Sequence, residues 1–551
     1  MSEPNSPVFE FGLIMAGAIS AGAYTAGVVD FLIEALDAWE RAREDPGYTG
    51  PRHDVRLNVI TGASAGGMTA AISAVSLNAD IDPVHDVDAP PEPARNRLYD
   101  AWVRRVDIAA LLGDEDIRTS GKLLSALDAS ELERISMDAL TVPPRATPRD
   151  WVDDPLAIFL TVANLRGVPY GFSLFGSAGA AAYGMTSHKD HMRFALSSRG
   201  NPLPGARLLD PALAPDADWP QLAQTALASG AFPIGLRARA LTRPREDYQA
   251  RMSRPPLWPD PPAEDAPGDY QFLCVDGGLI DNEPLELARH YLARGGRNPR
   301  EGELAHRAVV MVDPFPNAAV LAKDNSAADG LLAVAQGMFG ALVNQARFKQ
   351  EELELAESAT NFSRFMISPS RFDTTGQRIE PAMASATLGG FGGFLSEDYR
   401  KHDFQLGRRN CQRFLQRYFT LPATNPLFQS WSDTGERDAW YVRGADNKQV
   451  GFTEDPTVPM LPIIPLVDAV RGEIPQYRPP SAASVDLAQL EKSVKRRTRA
   501  VGSALIDGDL RSALGSPVLR WILRVLFNWR IAPRIAAAAR KRIGEDIARL
   551  G

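Results

Sequence analysis

Two short segments of the 551-residue chain carry side chains arranged for acyl-transfer chemistry. The first, Gly62-Ala63-Ser64-Ala65-Gly66, follows the apolar run Leu57–Thr61 and precedes a stretch rich in Ala and Met. That order reads as strand, sharp turn and helix, which is the setting a G-x-S-x-G nucleophile requires. The glycines two residues either side leave room for a strained turn, and the following helix aims its free N–H groups at the reacting oxygen. A plain structural turn in an Ala-rich chain also fits the pentapeptide; the flanking strand and helix favour the nucleophile.

A serine hydroxyl needs a base. Phe272-Leu273-Cys274-Val275-Asp276-Gly277-Gly278 reads as an apolar strand ending in a carboxylate and two glycines. A carboxylate there, on a strand beside that of the serine, would accept the hydroxyl proton directly. Gly277 and Gly278 would let another backbone or a substrate approach closely. Asp-Gly is also a common turn, and this segment alone does not decide between the two. A histidine is the rival base among His53, His85, His188, His191, His290, His306 and His402. His290 and His306 follow Asp276, but the first falls inside a predicted helix and the second just before a strand. A third small-residue segment, Ala16 to Gly22, has Gly17 as its point of closest approach and offers backbone N–H groups for an oxyanion. A phosphate cradle is the alternative, but the lysine of the P-loop is missing and G-x-G-x-x-G is not met.

These segments must be positioned by a scaffold. Strands are expected at Phe9–Met15, Leu57–Thr61, Leu156–Val162, Tyr170–Leu174, Leu236–Leu241, Phe272–Val275 and Ala308–Val312. Helices are expected from Gly22 to Glu40, after Gly66, and at Gln221–Ser229, Leu285–Leu292, Gly330–Glu357 and Tyr399–Phe419. Strand, Gly-rich turn and helix, twice in the first eighty residues, points to an α/β fold with a mostly parallel sheet. The uncharged run from Phe11 to Val29 is best read as part of this pattern: it is only mildly apolar, and no basic residues precede it as a secretory signal would need. Loops about 80–155 and 242–269 read as insertions into a domain spanning 8–420. The proline-rich stretch 421–490 reads as a linker or surface arm, and 491–551 as a basic helical tail.

Weaker signals are His188-Lys189-Asp190-His191, read as a polar turn rather than a metal site, and Thr161 with Asn164 at the end of a strand. Phe391-Gly392-Gly393-Phe394 and Tyr399 to Leu415 make a polar–aromatic block expected to pack on the catalytic domain. Hydrophobic residues make up 44% and charged residues 23% of the chain, an ordinary balance that rules out wholesale disorder. A net charge of -8 argues against a general nucleic-acid binder. Only two cysteines, Cys274 and Cys411, suit a reducing compartment, so a cytoplasmic location is expected. The tail from Glu491 carries about +9, leaving about -17 on the rest. Within 517–535, bulky apolar side chains alternate with arginines as in an amphipathic helix, so peripheral contact at the inner membrane surface is expected there, with docking on the acidic body as the alternative.

Taken together and in this order, the three segments resemble the patatin-like phospholipase family. Its pattern is a Gly-rich oxyanion loop, then G-x-S-x-G, then D-G-G or D-G-A. Ser229-Gly230-Ala231-Phe232-Pro233 and Asp281-Asn282-Glu283-Pro284-Leu285 are similar to two lesser blocks of the family. The resemblance covers about Val8 to Pro314 and extends toward Phe419. It implies a three-layer α/β/α domain and a Ser64–Asp276 dyad without histidine, with Gly17, Ala18 and Ala65 as oxyanion donors. The implied substrates are phospholipids or other lipid esters, and neither metal nor organic cofactor is implied. The loop departs from the family's G-G-G-x-R-G, having Ala18 and Ile19 in glycine positions and Ala21 in place of the arginine.

Overall fold

The computed structural model describes residues 7–141, 143–172, 183–249, 268–316, 334, 341, 361–373, 375–429, 431, 437–444, 448–508, 510–514 and 516–548. Nearly all of the helix expected at Gly330–Glu357, the end of the strand expected at Tyr170–Leu174 and most of the loop 242–269 lie outside the described residues.

The chain opens as β1 (Val8–Met15), α1 (Gly22–Glu44), β2 (Asp54–Gly62) and α2 (Ala65–Leu77), the doubled unit that the sequence predicts. An insertion follows, ending in α3 (Ser130–Ala139). Then come β3 (Val152–Phe172), β4 (Tyr183–Leu196), β5 (Arg207–Leu209), α4 (Trp219–Ser229), β6 (Arg239–Pro244), β7 (Asp269–Asp276) and α5 (Leu285–Ala293). The remaining elements are β8 (Arg307–Val312), β9 (Arg364–Ile367), α6 (Glu397–Arg417), β10 (Thr420–Pro422), β11 (Met460–Pro462), α7 (Leu487–Asp507), α8 (Pro517–Leu526) and α9 (Ala532–Ile547).

The main sheet runs β5-β4-β3-β2-β1-β8-β9, with β7 attached to β3 and β6 to β7. β1, β2, β8 and the start of β3 are parallel, as are β8 and β9. Central strands are apolar on both faces because helices cover both. In β1, Phe9, Phe11, Leu13 and Met15 join the large core with α1 and α2, while Ile14 faces a second core with Leu285, Ala288 and Leu292 of α5. The result is an α/β fold with a mostly parallel central sheet and a helical C-terminal region.

Three local expectations are corrected. The strands expected at Leu156–Val162 and Tyr170–Leu174 belong to one strand, β3, whose register against β4 shifts between Ala163 and Val168. Asn164 makes the irregularity, its Oδ1 accepting the N–H groups of Arg166 and Gly167. Second, His188–His191 lies within β4 rather than a turn. Asp190 is buried there and accepts from the Tyr248 hydroxyl (2.7 Å) and the Asn164 amide (3.0 Å), so these polar residues form an internal network. Third, the strand expected at Leu236–Leu241 is displaced to Arg239–Pro244.

α6 packs on α1 at very close range. A Cβ on Gly27 would stand 2.0 Å from the Phe404 carbonyl oxygen, and one on Gly407 2.1 Å from that of Tyr24. Between the helices Arg408 is buried against Asp30 and Glu34, the latter at 2.6 Å. In the proline-rich stretch, Leu461, Ile463 and Ile464 are buried. The Ile463 N–H donates to the Phe419 carbonyl (3.0 Å), and its own carbonyl pairs with His53 Nε2 (2.8 Å).

The basic tail is anchored at two places. Arg497 of α7 is buried, paired with both carboxylate oxygens of Asp116 (2.6 and 2.9 Å) and donating to the carbonyls of Gly113, Ser125 and Ala126. At the other end, Ile547 of α9 packs with Ala384, Tyr399 and Val485. Between these anchors α8 and the turn after it are uncovered, with Val518 66%, Trp521 58% and Trp529 72% exposed. Among the described residues, no helix is long and apolar enough to cross a membrane.

Candidate active site

β3 acts as the ruler for the site. Its register with β2 ends at Leu160, opposite Gly62, and its register with β7 begins at Val162, opposite Asp276. Val162 and Ala163 pair simultaneously with β4, so β7 must occupy the same edge of β3 that β2 has just left. β7 arrives antiparallel, and the carboxyl ends of β2 and β7 therefore meet head to head. The expectation of adjacent strands is corrected by this arrangement: the two strands share one edge of β3 end to end. Gly277 makes the junction possible, since a Cβ there would lie 2.3 Å from the Thr161 carbonyl oxygen. Thr161 itself is buried beneath, its hydroxyl 3.3 Å from the Asp281 carbonyl.

Ser64 occupies the turn between β2 and α2 with φ 53° and ψ -127°, a conformation that L-residues rarely adopt. Its N–H is held by the Ser229 hydroxyl (2.9 Å), and a Cβ on Gly66 would stand 2.1 Å from the Met15 carbonyl oxygen. The Ser64 hydroxyl donates to Asp276 Oδ2 at 2.6 Å. The other carboxylate oxygen accepts the Gly278 N–H (2.7 Å), and the Asp276 N–H donates to Ala231 (2.9 Å). Burial pushes the Asp276 carboxyl up to about 6, against the stabilising hydrogen bonds from Ser64 and Gly278. A carboxylate poised there accepts a proton more readily than an ordinary one and is still ionised at neutral pH.

The loop Ala16–Gly22 lies beside the serine, but Gly17 does not match its expected role. Its N–H already donates to the Asn282 carbonyl at 3.0 Å. The position is glycine for space: a Cβ would come 2.1 Å from Asn282 Oδ1 and 3.1 Å from the Ser64 Cβ. Among the described residues, the N–H groups of Ala18 and Ala65 have no partner. The loop's far side is fixed by Ser20, whose hydroxyl donates to the Gly390 carbonyl (2.5 Å) and accepts the Gly393 N–H (2.9 Å).

Ser64 and Asp276 border a cavity of about 270 Å³. Ile19, Phe232, Phe391 and Phe394 contribute to its walls, together with Trp102 and Leu132 from the inserted region. Sequence reasoning notes Ser229, Asn282 and the Phe391–Phe394 block without assigning what they do here. The inserted wall carries no local signal at all, because its residues are simply apolar. No histidine is among the residues bordering the cavity; His290 is exposed on α5 beside Glu286, and His306 is exposed next to Arg307.

The patatin-like phospholipase family profile matches residues 13–289, which contain the serine turn, the strand bearing Asp276 and the loop at Gly17. An uncharacterized protein of Sinorhizobium fredii, y4iI, is 35% identical over 573 residues, an alignment that covers 95% of this chain and 80% of the relative. The chain belongs to the patatin-like phospholipase family.

Proposed function

We propose that the protein hydrolyses fatty-acyl esters of lipids, phospholipids first among them, through Ser64 and Asp276. The observation that carries the reading is the 2.6 Å hydrogen bond from a strained, buried serine to a buried carboxylate beside an apolar cavity. Asp276 takes the hydroxyl proton as Ser64 Oγ attacks the ester carbonyl, and the N–H groups of Ala18 and Ala65 hold the oxyanion. As the intermediate collapses, the alcohol leaves with the proton from Asp276 and the acyl group stays on Ser64. Water then attacks the acyl-enzyme, giving its proton to Asp276, and the fatty acid is released with Ser64 restored.

The test is fatty-acid release from mixed phospholipid vesicles and from a short-chain ester, with wild type beside Ser64→Ala and Asp276→Asn. Loss of turnover in both variants supports the dyad. Turnover on the short ester alone makes the protein a general serine esterase. An inert wild type would point to a binding or scaffold role on the same fold.

The tail reading is sharpened by its packing. The exposed Val518, Trp521 and Trp529, interspersed with Arg520, Arg524 and Arg530, support peripheral contact with an anionic lipid surface. Truncation at 514 is a poor test, because α9 packs against the body through Ile547. Trp521→Ser with Trp529→Ser is cleaner: a fall of tenfold or more in the vesicle-bound fraction is expected, and unchanged binding refutes the contact.

A further inference from the structure

Behind the cavity at Ser64 lies a second, smaller one of about 50 Å³, and the two share Met68, Trp102, Val106 and Leu132 as common wall. The deep cavity is ringed by alanines, among them Ala71, Ala139, Ala223 and Ala226, all buried. These come from α2, α3 and α4, which also send Ile72, Val75, Ile135, Leu222 and Leu227 to the same wall, so the space lies between three helices where small side chains are interspersed with branched ones. Met68 is the partition. It stands one helical turn after Ser64, and its Cε would be 2.5 Å from a Cβ on Gly230, so a glycine faces it. An unbranched thioether is the side chain best able to swing aside without straining the core.

We infer that the two cavities form one slot for a single fatty-acyl chain, with Met68 as a movable partition and the alanine-ringed end as the stop that sets chain length. The inference rests on the acyl-hydrolase reading and deepens it to a substrate class. A 150 Å³ apolar cavity holds a benzene ring, roughly 25 Å³ per carbon. On that scale the near cavity takes about eleven carbons and the deep one about two more. The slot thus fits a dodecanoyl chain and excludes the full length of an octadecanoyl chain. The inserted region supplies the wall that limits it, through Trp102, Val106, Leu132 and Ala139.

Two series test this. Ser64→Ala protein is titrated calorimetrically with free fatty acids from butanoate to octadecanoate, and wild type is assayed on the matching p-nitrophenyl esters. Affinity is expected to rise about fourfold per methylene and to level off near dodecanoate. Ala226→Phe, which plugs the stop, moves the plateau to shorter acids and lowers the dodecanoyl-to-butanoyl ratio of kcat/KM at least tenfold. Met68→Ala, which merges the cavities, moves it to longer ones and serves should the bulkier variant not fold. An unmoved plateau in variants with native circular dichroism overturns the slot. A chain-length step in binding without ester cleavage overturns the hydrolase reading and leaves the slot standing.

Discussion

Two buried carboxylates, in different regions of the molecule, are treated in opposite ways. In the α1–α6 interface Asp30 is held by the Arg408 guanidinium, the Asn96 amide (2.6 Å) and the Val84 N–H (3.3 Å). Where β2 meets β7, Asp276 is also buried, yet among the described residues it has no cationic partner and is held by the Ser64 hydroxyl and the Gly278 N–H. The first is neutralised by its surroundings and ties helices together. The second keeps a charge that its surroundings do not fully compensate, which is the condition for a base. Burial alone does not suit a carboxylate to act as a base; burial without a counter-ion, beside a hydroxyl, is the arrangement that role needs.

The comparison breaks most visibly at the dyad. Ser64→Ala and Asp276→Asn are each expected to lower kcat by about 10³- to 10⁴-fold, read by steady-state hydrolysis of a soluble ester. Arg408→Met should leave Asp30 and Glu34 unpaired in the core and cost about 3–5 kcal/mol in urea unfolding. Adding Asp30→Asn and Glu34→Gln should restore part of that loss, whereas no loss in the single variant would remove the structural half of the contrast.

The third prediction concerns pH. The Asp276 carboxyl sits at about 6 when folded and at about 4 when unfolded, so its contribution to stability is present below about pH 4 and lost as pH rises through 6. Asp276→Asn should therefore be more stable than wild type by about 3 kcal/mol at pH 8, the gap closing toward pH 4, while wild-type kcat/KM falls as pH drops through about 6. A stability gap between variant and wild type that is the same at both pH values would mean the carboxylate is not strained by its burial. The smallest effect is expected from Ser229→Ala, which frees the Ser64 N–H and should lower kcat/KM about three- to tenfold, roughly 1 kcal/mol.

The fold was legible where periodicity is strong. β1, β2, α1 and α2 lie near their expected places because a parallel strand covered on both faces must be continuously apolar and the Gly-rich turns punctuate it. β4 was hidden because polar residues from Thr186 to His191 fill its middle, Asp190 among them being buried and paired internally, so that the buried Met192, Phe194, Ala195 and Leu196 leave too short an apolar run to mark a strand. In the candidate site, the Ser64 turn was legible from its glycine spacing, whereas the Asp276 segment read equally as a common turn and its pairing with Ser64 came only with the family resemblance. Gly17 was assigned the wrong physical role because a glycine needed for space and one needed for an N–H look identical in sequence. Contacts joining distant segments, such as Ser20 with Gly390 or Arg497 with Asp116, leave no trace in local pattern.

The most direct measurement is capture of the covalent intermediate. Protein incubated with an alkyl fluorophosphonate and analysed by peptide mass spectrometry should carry the phosphonyl group on Ser64, with labelling abolished in Ser64→Ala and slowed at least a hundredfold in Asp276→Asn. Labelling at another residue, or labelling of Asp276→Asn at the wild-type rate, would contradict the assignment of Asp276 as the base that activates Ser64.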